Sequence, residues 1–86
     1  MRWRVIITPR AERELKGLQS PDQARIREAL DGLTDFPRQG DLRKLRGREE
    51  EWRLRVGDYR VRFTPDSRNR VISILRVLPR SQAYRE

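Results

Sequence analysis

The chain has 86 residues, which suffice for one small domain with a thin hydrophobic core but not for two. It contains neither cysteine nor histidine, which excludes disulfides, Cys/His metal sites and nucleophilic catalysis by either residue. Twenty-one Lys and Arg against thirteen Asp and Glu give a net charge of +8, and most of the cations are arginine, whose guanidinium suits bidentate phosphate contacts. This composition predicts a nucleic-acid partner, with a basic surface that serves only solubility as the alternative.

The N-terminal third predicts a strand followed by a helix. Apolar residues alternate over 2–7, which is typical of a strand. Thr8 is then an N-cap candidate, and Pro9 suits the first helical position because its missing N–H is no loss there. We expect this helix to end near Gly17 and to pack one stripe on the core: Ala11, Leu15 and Leu18.

A second helix start follows at once, so the two helices form a hairpin. Ser20 is the predicted N-cap, Pro21 the first helical residue, and Gln23 stands where it could complete a capping box. The helix is expected to stop before Pro37, with its buried stripe at Ile26, Leu30 and Leu33. The polar segment 38–48 contains two glycines and is interpreted as a loop that carries Lys44 and Arg46.

A β-hairpin with two opposed pairs of arginines is the most informative feature of the chain. Residues 52–56 and 59–63 each alternate apolar and cationic side chains, and Gly57-Asp58 can form the two-residue turn between them. This register puts Trp52, Tyr59 and Phe63 on an apolar face, which we interpret as core. The opposite face, which we call the arginine face, pairs Arg55 with Arg60 and Arg53 with Arg62.

A last strand completes the predicted fold. A turn is expected at 65–69, and residues 71–78 are β-prone and apolar on both sides, which favours an interior strand covered by helices on one face. The order predicts one α+β domain over 1–86: an N-terminal strand, a helix hairpin and a three-stranded antiparallel meander, all in one sheet.

The arginine face has a functional and a structural interpretation. Like charges directly opposite each other destabilise a sheet, so two adjacent pairs indicate a surface that meets a polyanion. Taken alone, the same stripe is about as compatible with a solvated sheet face. The run Glu49-Glu50-Glu51 is interpreted as a charged loop rather than a carboxylate cluster directed at the arginines.

Several segments together resemble the RelE/ParE superfamily, toxins of type II toxin–antitoxin systems. The likeness covers essentially the whole chain and rests on the order of elements, the Lys-Leu-Arg-Gly segment at 44–47, the hairpin at 52–61 and the closing segment from Val77 to Arg85. The resemblance implies the RelE-like fold and a cognate antitoxin that covers the toxin surface. In the RelE-like branch it implies cleavage of mRNA in the ribosomal A site, and in the ParE-like branch poisoning of DNA gyrase.

Carrying the RelE-like site over position by position implies five catalytic residues: Arg53, Arg55, Arg60, Arg80 and Tyr84. Lys44, Arg46 and Arg62 are the expected RNA contacts. The family often has lysine where this chain has Arg53 and Arg55, and an arginine keeps its proton at ordinary pH. Tyr84 is therefore the candidate general base, while Arg60 and Arg80 are the candidates to stabilise charge on the phosphate.

The function we expect is a ribosome-dependent endoribonuclease that promotes attack of the RNA 2′-OH on the adjacent phosphate. No cofactor and no metal are expected, and the partners are the antitoxin, the ribosome and mRNA. The N-terminal apolar run is too short for a signal peptide and nothing approaches the length of a membrane span, which predicts a cytoplasmic protein. A gyrase inhibitor without nuclease activity and a non-catalytic basic RNA-binding domain remain the alternatives.

Overall fold

The described residues of the protein fold as two helices and a five-stranded sheet. A computed structural model describes residues 2–37, 41–45 and 50–80. Its elements in chain order are β1 (Arg4–Ile7), α1 (Pro9–Lys16), α2 (Ser20–Asp31), a 3-10 turn (Gly32–Asp35), β2 (Asp41–Lys44), β3 (Trp52–Val56), β4 (Tyr59–Asp66) and β5 (Val71–Pro79). The strand order in the sheet is β1-β5-β4-β3-β2. The predicted α+β class, helix hairpin and meander are confirmed.

The sheet has one strand more than the sequence predicts. β2 lies within the segment interpreted as a loop and pairs antiparallel with β3, so that Leu42 is opposite Leu54 and Arg43 opposite Arg53. A four-residue strand of mostly polar residues has no alternation long enough to detect. It forms because the edge of β3 supplies hydrogen-bond partners, and the loop prediction is wrong for these four residues.

The start of α1 is confirmed. The Thr8 hydroxyl oxygen accepts a hydrogen bond from the Ala11 N–H at 3.3 Å, and Pro9 occupies the first turn. The same hydroxyl donates to the carbonyl oxygen of Ile74 at 2.7 Å. Thr8 therefore both caps α1 and ties its first turn to β5.

The capping box predicted for α2 is wrong by one residue. Gln19 takes the N-cap position without a side-chain cap, and its carbonyl accepts the N–H of Gln23 at 2.9 Å. The Gln23 side chain instead accepts a hydrogen bond from Arg27 at 3.3 Å. Within the described ranges, neither helix is long and apolar enough to cross a membrane.

Both helices pack on the same face of the sheet and bury the predicted stripes. The helices contribute Ala11, Leu15, Ile26 and Leu30 to a core that also holds Leu33 of the 3-10 turn and Leu54, Val61, Phe63, Ile72 and Ile74 of the strands. Phe36 contacts three aromatic rings edge-to-face, with centroid distances of 5.4 Å to Trp3, 5.0 Å to Trp52 and 5.5 Å to Phe63. The interpretation of Trp52, Tyr59 and Phe63 as core residues is confirmed, with Trp52 and Tyr59 partly buried.

An irregularity in β5 explains why its sequence is apolar on both sides. Arg62 lies opposite Arg76, whereas the next residue, Phe63, lies opposite Ile74, so Leu75 is an extra residue in β5. Such a bulge shifts the alternation by one residue. Ile74 and Val77, three residues apart, therefore both belong to the helix-covered core. β5 is an interior strand between β1 and β4, as predicted.

The turn between β4 and β5 begins later than expected. Pro65 and Asp66 belong to β4, and the turn spans 67–70. The Asp66 carboxylate accepts hydrogen bonds from the backbone N–H groups of Arg68 and Asn69 at 3.1 and 3.3 Å, and from the Asn69 side-chain amide at 2.8 Å. These bonds, that from the side-chain amide above all, lower the pKa of Asp66.

Replacing Phe63 by alanine should lower the free energy of unfolding by about 3–5 kcal/mol, because it opens a cavity beneath Phe36 in the centre of the sheet. Ile6→Ala is the matched control, since the Ile6 side chain is exposed, and should change stability by less than about 0.5 kcal/mol. Urea unfolding followed by circular dichroism measures both. Equal losses in the two variants would contradict the core assignment.

Candidate functional site

The register of the β3–β4 hairpin is confirmed residue by residue. Arg53 lies opposite Arg62 and Arg55 opposite Arg60, while Leu54 and Val56 point with their partners to the core. Pairing with β2 and β5 extends the first pair, since Arg43 lies opposite Arg53 and Arg76 opposite Arg62. A row of four arginines therefore crosses four adjacent strands. Arg43 and Arg76 were missed because β2 and the bulge in β5 leave no clear sequence signal.

The Gly57-Asp58 turn brings three of the predicted catalytic residues together. Gly57 has φ of +56°, a conformation that glycine adopts without strain. The Arg60 guanidinium donates to the carbonyl oxygens of Gly57 at 3.3 Å and of Tyr59 at 3.0 Å. The Arg80 backbone N–H donates to the Asp58 carbonyl at 2.8 Å, so the end of β5 lies beside the turn. Arg55, directly opposite Arg60, completes the group.

These arginines differ strongly in exposure. Arg55 and Arg80 are exposed, as is Lys44 at the end of β2, and Arg53 is half-buried. Arg60 is only 2% exposed and lies opposite Leu78, which is also buried. A buried guanidinium requires hydrogen-bond acceptors, and the carbonyl oxygens of Gly57 and Tyr59 accept bonds from its Nη1 atom. The charge of Arg60 is thus held beneath the surface, whereas those of Arg55 and Arg80 are presented on it.

Arg62 is held by a carboxylate that the sequence did not assign to it. Its Nε and Nη2 atoms lie 2.6 and 2.5 Å from Glu51 Oε1, and both side chains are nearly buried. Glu51 lies outside the strands, as the interpretation of a charged loop predicts, but its side chain faces an arginine, which the sequence did not indicate. Charge complementarity across an irregular segment has no sequence period, so only the three-dimensional structure could reveal the pair. Glu49 lies outside the described residues.

Side chains of helix α2 lie beside the Gly57-Asp58 turn. The Tyr59 hydroxyl donates to Asp22 Oδ2 at 3.2 Å. Burial raises the pKa of Tyr59, and the hydrogen bond to Asp22 raises it further. A Cβ atom at position 57 would lie 2.8 Å from Arg25 Nη1, so a side chain there would displace the end of that guanidinium. Arg25 is a further cation near the turn that the helix pattern alone did not single out.

Two predicted site residues, Arg46 and Tyr84, lie outside the described residues. In the part of the chain that the structure describes, no three carboxylates converge in a way that could hold a metal ion. The described groups offer fixed positive charge and backbone hydrogen bonds. Such an arrangement can bind an anion and stabilise charge that develops on it without reorganising.

The fold and this cationic surface agree with one family. Residues 5–84 match the model for the ParE toxin of type II toxin–antitoxin systems, parDE. Because the match spans nearly the whole chain, the protein belongs to this toxin family, within the RelE/ParE superfamily.

Individual relatives are of the RelE type. The chain is 28% identical over 88 residues to a protein of Methanocaldococcus jannaschii named as toxin RelE1, with 99% of this chain and 98% of the relative covered. The archaeal RelE–RelB complex from Pyrococcus horikoshii has a TM-score of 0.81 at 32% identity, over 95% of this chain and 99% of that one. The RelBE2 toxin–antitoxin complex from Mycobacterium tuberculosis has a TM-score of 0.81 at 29% identity, over 93% and 100%. The chain is a RelE-like toxin of a type II toxin–antitoxin system.

Removing the carboxylate of Glu51 should destabilise the protein by about 3 kcal/mol, because it leaves the nearly buried charge of Arg62 without its counter-ion. The double variant Glu51→Ala/Arg62→Met should recover more than half of this loss, since it removes both charges. Chemical denaturation of the two variants beside the wild type measures the effect. A double variant less stable than Glu51→Ala would show that Arg62 does not depend on Glu51.

Stability should also fall at alkaline pH because of Tyr59. Its pKa is higher in the folded state than the ordinary value of about 10, so the folded chain holds this proton more tightly. The resulting stabilisation is complete below the unfolded-state pKa and is lost as the pH rises through the folded-state pKa. Urea midpoints measured between pH 8 and 11.5 should fall more steeply for the wild type than for Tyr59→Phe. Parallel curves would contradict this assignment.

Proposed function

We propose that the protein is a ribosome-dependent mRNA endonuclease that cuts mRNA in the ribosomal A site. The observation that carries the proposal is the convergence of Arg55, Arg60 and Arg80 around the Gly57-Asp58 turn. The guanidinium of Arg60 and the backbones of Arg55 and Arg80 are held at one end of the sheet, so three cationic side chains from two parts of the chain start from the same region. A single phosphate group is the kind of anion that such a cluster could accommodate.

The proposed chemistry is attack of an RNA 2′-OH on the adjacent phosphorus. The new bond joins the 2′-oxygen to phosphorus, and the bond to the 5′-oxygen of the next nucleotide breaks, which leaves a cyclic phosphate and a free 5′-OH. One proton leaves the 2′-OH and one is delivered to the departing oxygen. The protein must hold the backbone in line, offset the added negative charge and transfer these two protons.

The exposed arginines are suited to direct contact with the phosphate. We assign Arg80 and Arg55 to its non-bridging oxygens, and the buried Arg60 to electrostatic stabilisation from beneath, through a guanidinium already fixed on the turn carbonyls. A charge held in place by the fold costs no reorganisation when the transition state forms. Tyr84 is the proposed acceptor of the 2′-OH proton, and an arginine or water the donor to the leaving oxygen.

Basic residues further along the sheet are proposed to bind the RNA backbone. Arg53 and Arg43 lie side by side in the row of four, and Arg43 is exposed on the edge strand. Lys44 is also exposed, but it lies opposite Trp52, on the other face of the sheet and away from the turn, so we do not assign it to this path. Arg46 is assigned to RNA binding from its position in the sequence. Arg62 is assigned to keeping β3 and β4 in place with Glu51, because a nearly buried ion pair offers little surface to RNA.

In this proposal the ribosome orients the mRNA for in-line attack, which the cationic site does not do by itself. A cluster of permanent cations with one candidate base is a weak catalyst for an unconstrained RNA, since arginine does not give up its proton readily. An mRNA that the ribosomal A site bends into line would need only charge stabilisation and proton transfer. The proposed site of action is therefore the cytoplasm, where translation takes place.

A cognate antitoxin is the proposed regulatory partner. Two similar structures are complexes with a second protein: the RelE–RelB complex from P. horikoshii and the RelBE2 toxin–antitoxin complex from M. tuberculosis. With a net charge of +8, this chain would favour an antitoxin segment rich in acidic residues over the arginine face. Such a segment would compete directly with RNA for Arg55 and Arg80.

The matching family model gives a second candidate function. Its description is that of the ParE toxin, so inhibition of DNA gyrase without nuclease chemistry is the alternative. The two functions differ in product, since the first leaves cut mRNA and the second leaves linearised or relaxed plasmid in the presence of gyrase.

Arg80→Ala should lower the cleavage rate by at least about 100-fold, because it removes a charge that contacts the phosphate in the transition state. Primer extension on a defined mRNA, in a translating extract and in one without ribosomes, detects the cuts. Arg68→Ala is the control, since Arg68 is equally exposed but lies in the distant β4–β5 turn, and it should cut normally.

Three outcomes distinguish the candidates. Ribosome-dependent cuts by the wild type that Arg80→Ala loses would support the proposed function. Cuts by a folded Arg80→Ala protein at the wild-type rate would overturn the assignment of the site. No cuts from wild-type protein that still arrests growth, together with linearised plasmid in a gyrase assay, would favour the second function.

A further inference from the structure

Arg80 directly follows the last residue of β5, Pro79. On one side, this end of β5 extends beyond the strand that pairs with its first half. β1 pairs with β5 only as far as Ile7 opposite Ile74. At that point Thr8 ends the pairing, with its backbone N–H and its hydroxyl both donating to the Ile74 carbonyl at 3.1 and 2.7 Å. In the described register, no strand continues along this side of β5 past Ile74.

The Glu14 carboxylate supplies a hydrogen-bond acceptor of the kind that a neighbouring strand would offer to this part of β5. Its Oε1 atom accepts a hydrogen bond from the Val77 backbone N–H at 2.8 Å. Its Oε2 atom accepts hydrogen bonds from Arg76, at 2.9 Å from Nε and 2.8 Å from Nη2. One carboxylate thus satisfies a backbone donor of the strand and pairs with the side chain of the preceding residue. Both interactions are partly buried, which strengthens them relative to a surface ion pair.

Helix α1 holds Glu14 rigidly enough for this role. The next residue, Leu15, is completely buried, and so is Ala11, one turn earlier. The helix start is fixed on Ile74 through Thr8. A carboxylate between two such anchors loses little conformational freedom when it binds the strand.

The other side of the same segment is held by β4 and the turn. Leu78 pairs with Arg60, Pro79 pairs with Tyr59, and the Arg80 N–H donates to Asp58. The segment from Val77 to Arg80 is therefore held at its start by Glu14, through the Val77 N–H, and along its length by β4 and the turn that also binds Arg60. The same carboxylate offsets the charge of Arg76, which lies opposite Arg62.

From this arrangement we propose that Glu14 is a positioning residue for Arg80. It keeps the end of β5 in register so that the Arg80 guanidinium reaches the phosphate at the turn. The inference rests on the proposed function for its catalytic consequence, whereas the hold of Glu14 on β5 can be measured independently. Displacement of a catalytic group by about 1 Å can cost about 100-fold in rate, so a distant carboxylate can matter for the chemistry.

The test compares three variants on the full-length protein. Glu14→Ala should lower the single-turnover cleavage rate on programmed ribosomes by about 10- to 100-fold, while the ribosome concentration for half-maximal rate changes by less than about threefold. Glu14→Gln should recover most of the rate, since its amide oxygen still accepts the Val77 N–H. Glu12→Ala is the control, because Glu12 lies on the same helix but pairs with Arg27 at 2.6 Å and Lys16 at 3.9 Å.

Two further measurements separate positioning from general stability. Amide hydrogen exchange at Val77 and Arg80 should be at least about tenfold faster in Glu14→Ala, with core amides such as that of Phe63 unchanged. The double variant Glu14→Ala/Arg80→Ala should cut no more slowly than Arg80→Ala alone, since both changes act through one side chain.

Unchanged exchange at Arg80 in Glu14→Ala would overturn the inference, as would a double variant whose losses add. A wild-type cleavage rate in Glu14→Ala with faster exchange would also overturn it, since the hold on β5 would then not serve catalysis. If Arg80→Ala itself cuts at the wild-type rate, the assignment of Arg80 to the site fails. The exchange measurement still decides whether Glu14 holds the end of β5.

Discussion

The cost of placing arginines opposite each other in neighbouring strands is the constraint on which the rest of this structure depends. Four guanidinium groups, from Arg43 to Arg76, follow one row across four strands. Like charges so arranged destabilise a sheet, so the fold must compensate for them. Glu51 forms an ion pair with Arg62, and Glu14 forms one with Arg76. In the adjacent row, the carbonyl oxygens of Gly57 and Tyr59 accept hydrogen bonds from Arg60. The helix-covered core on the other face supplies the stability that lets the arrangement persist.

The arginines of the sheet differ in burial, and this difference determines which of them a large anion can reach. Arg62 and Arg76, on two of the three interior strands, are largely buried beside carboxylates, whereas Arg55 and Arg80 are exposed beside the Gly57-Asp58 turn. A guanidinium that is largely buried in an ion pair offers little surface to a polyanion, whereas an exposed one can be reached. The arrangement therefore favours anion binding at the turn end of the sheet, where the buried Arg60 adds its charge from below. A toxin that acts on RNA and is neutralised by an acidic partner could use one such surface for both.

Local patterns predicted the parts of the fold in which neighbouring residues determine the conformation. The alternation of the β3–β4 hairpin and its Gly57-Asp58 turn led directly to the observed register, and Thr8-Pro9 correctly marked the start of α1. The failures share a different cause. β2 exists only because β3 offers it an edge, and the shift of the α2 cap from Ser20 to Gln19 depends on a backbone hydrogen bond that several sequences would allow. Local propensity is a weak guide wherever tertiary pairing supplies the free energy.

By itself, the sequence determined which side chains share a face in the two helices and in the β3–β4 hairpin, since strand and helix periods depend only on covalent geometry. It also determined that the functional surface is made of permanent cations, because the chain has no cysteine or histidine and few lysines. Only the tertiary structure decided which of those cations are buried and which are exposed. The pairs Arg62–Glu51 and Arg76–Glu14 join residues 11 and 62 positions apart, and Arg80 reaches the turn through a single backbone hydrogen bond to Asp58. Contacts of this kind follow from how the elements pack, which no local period encodes.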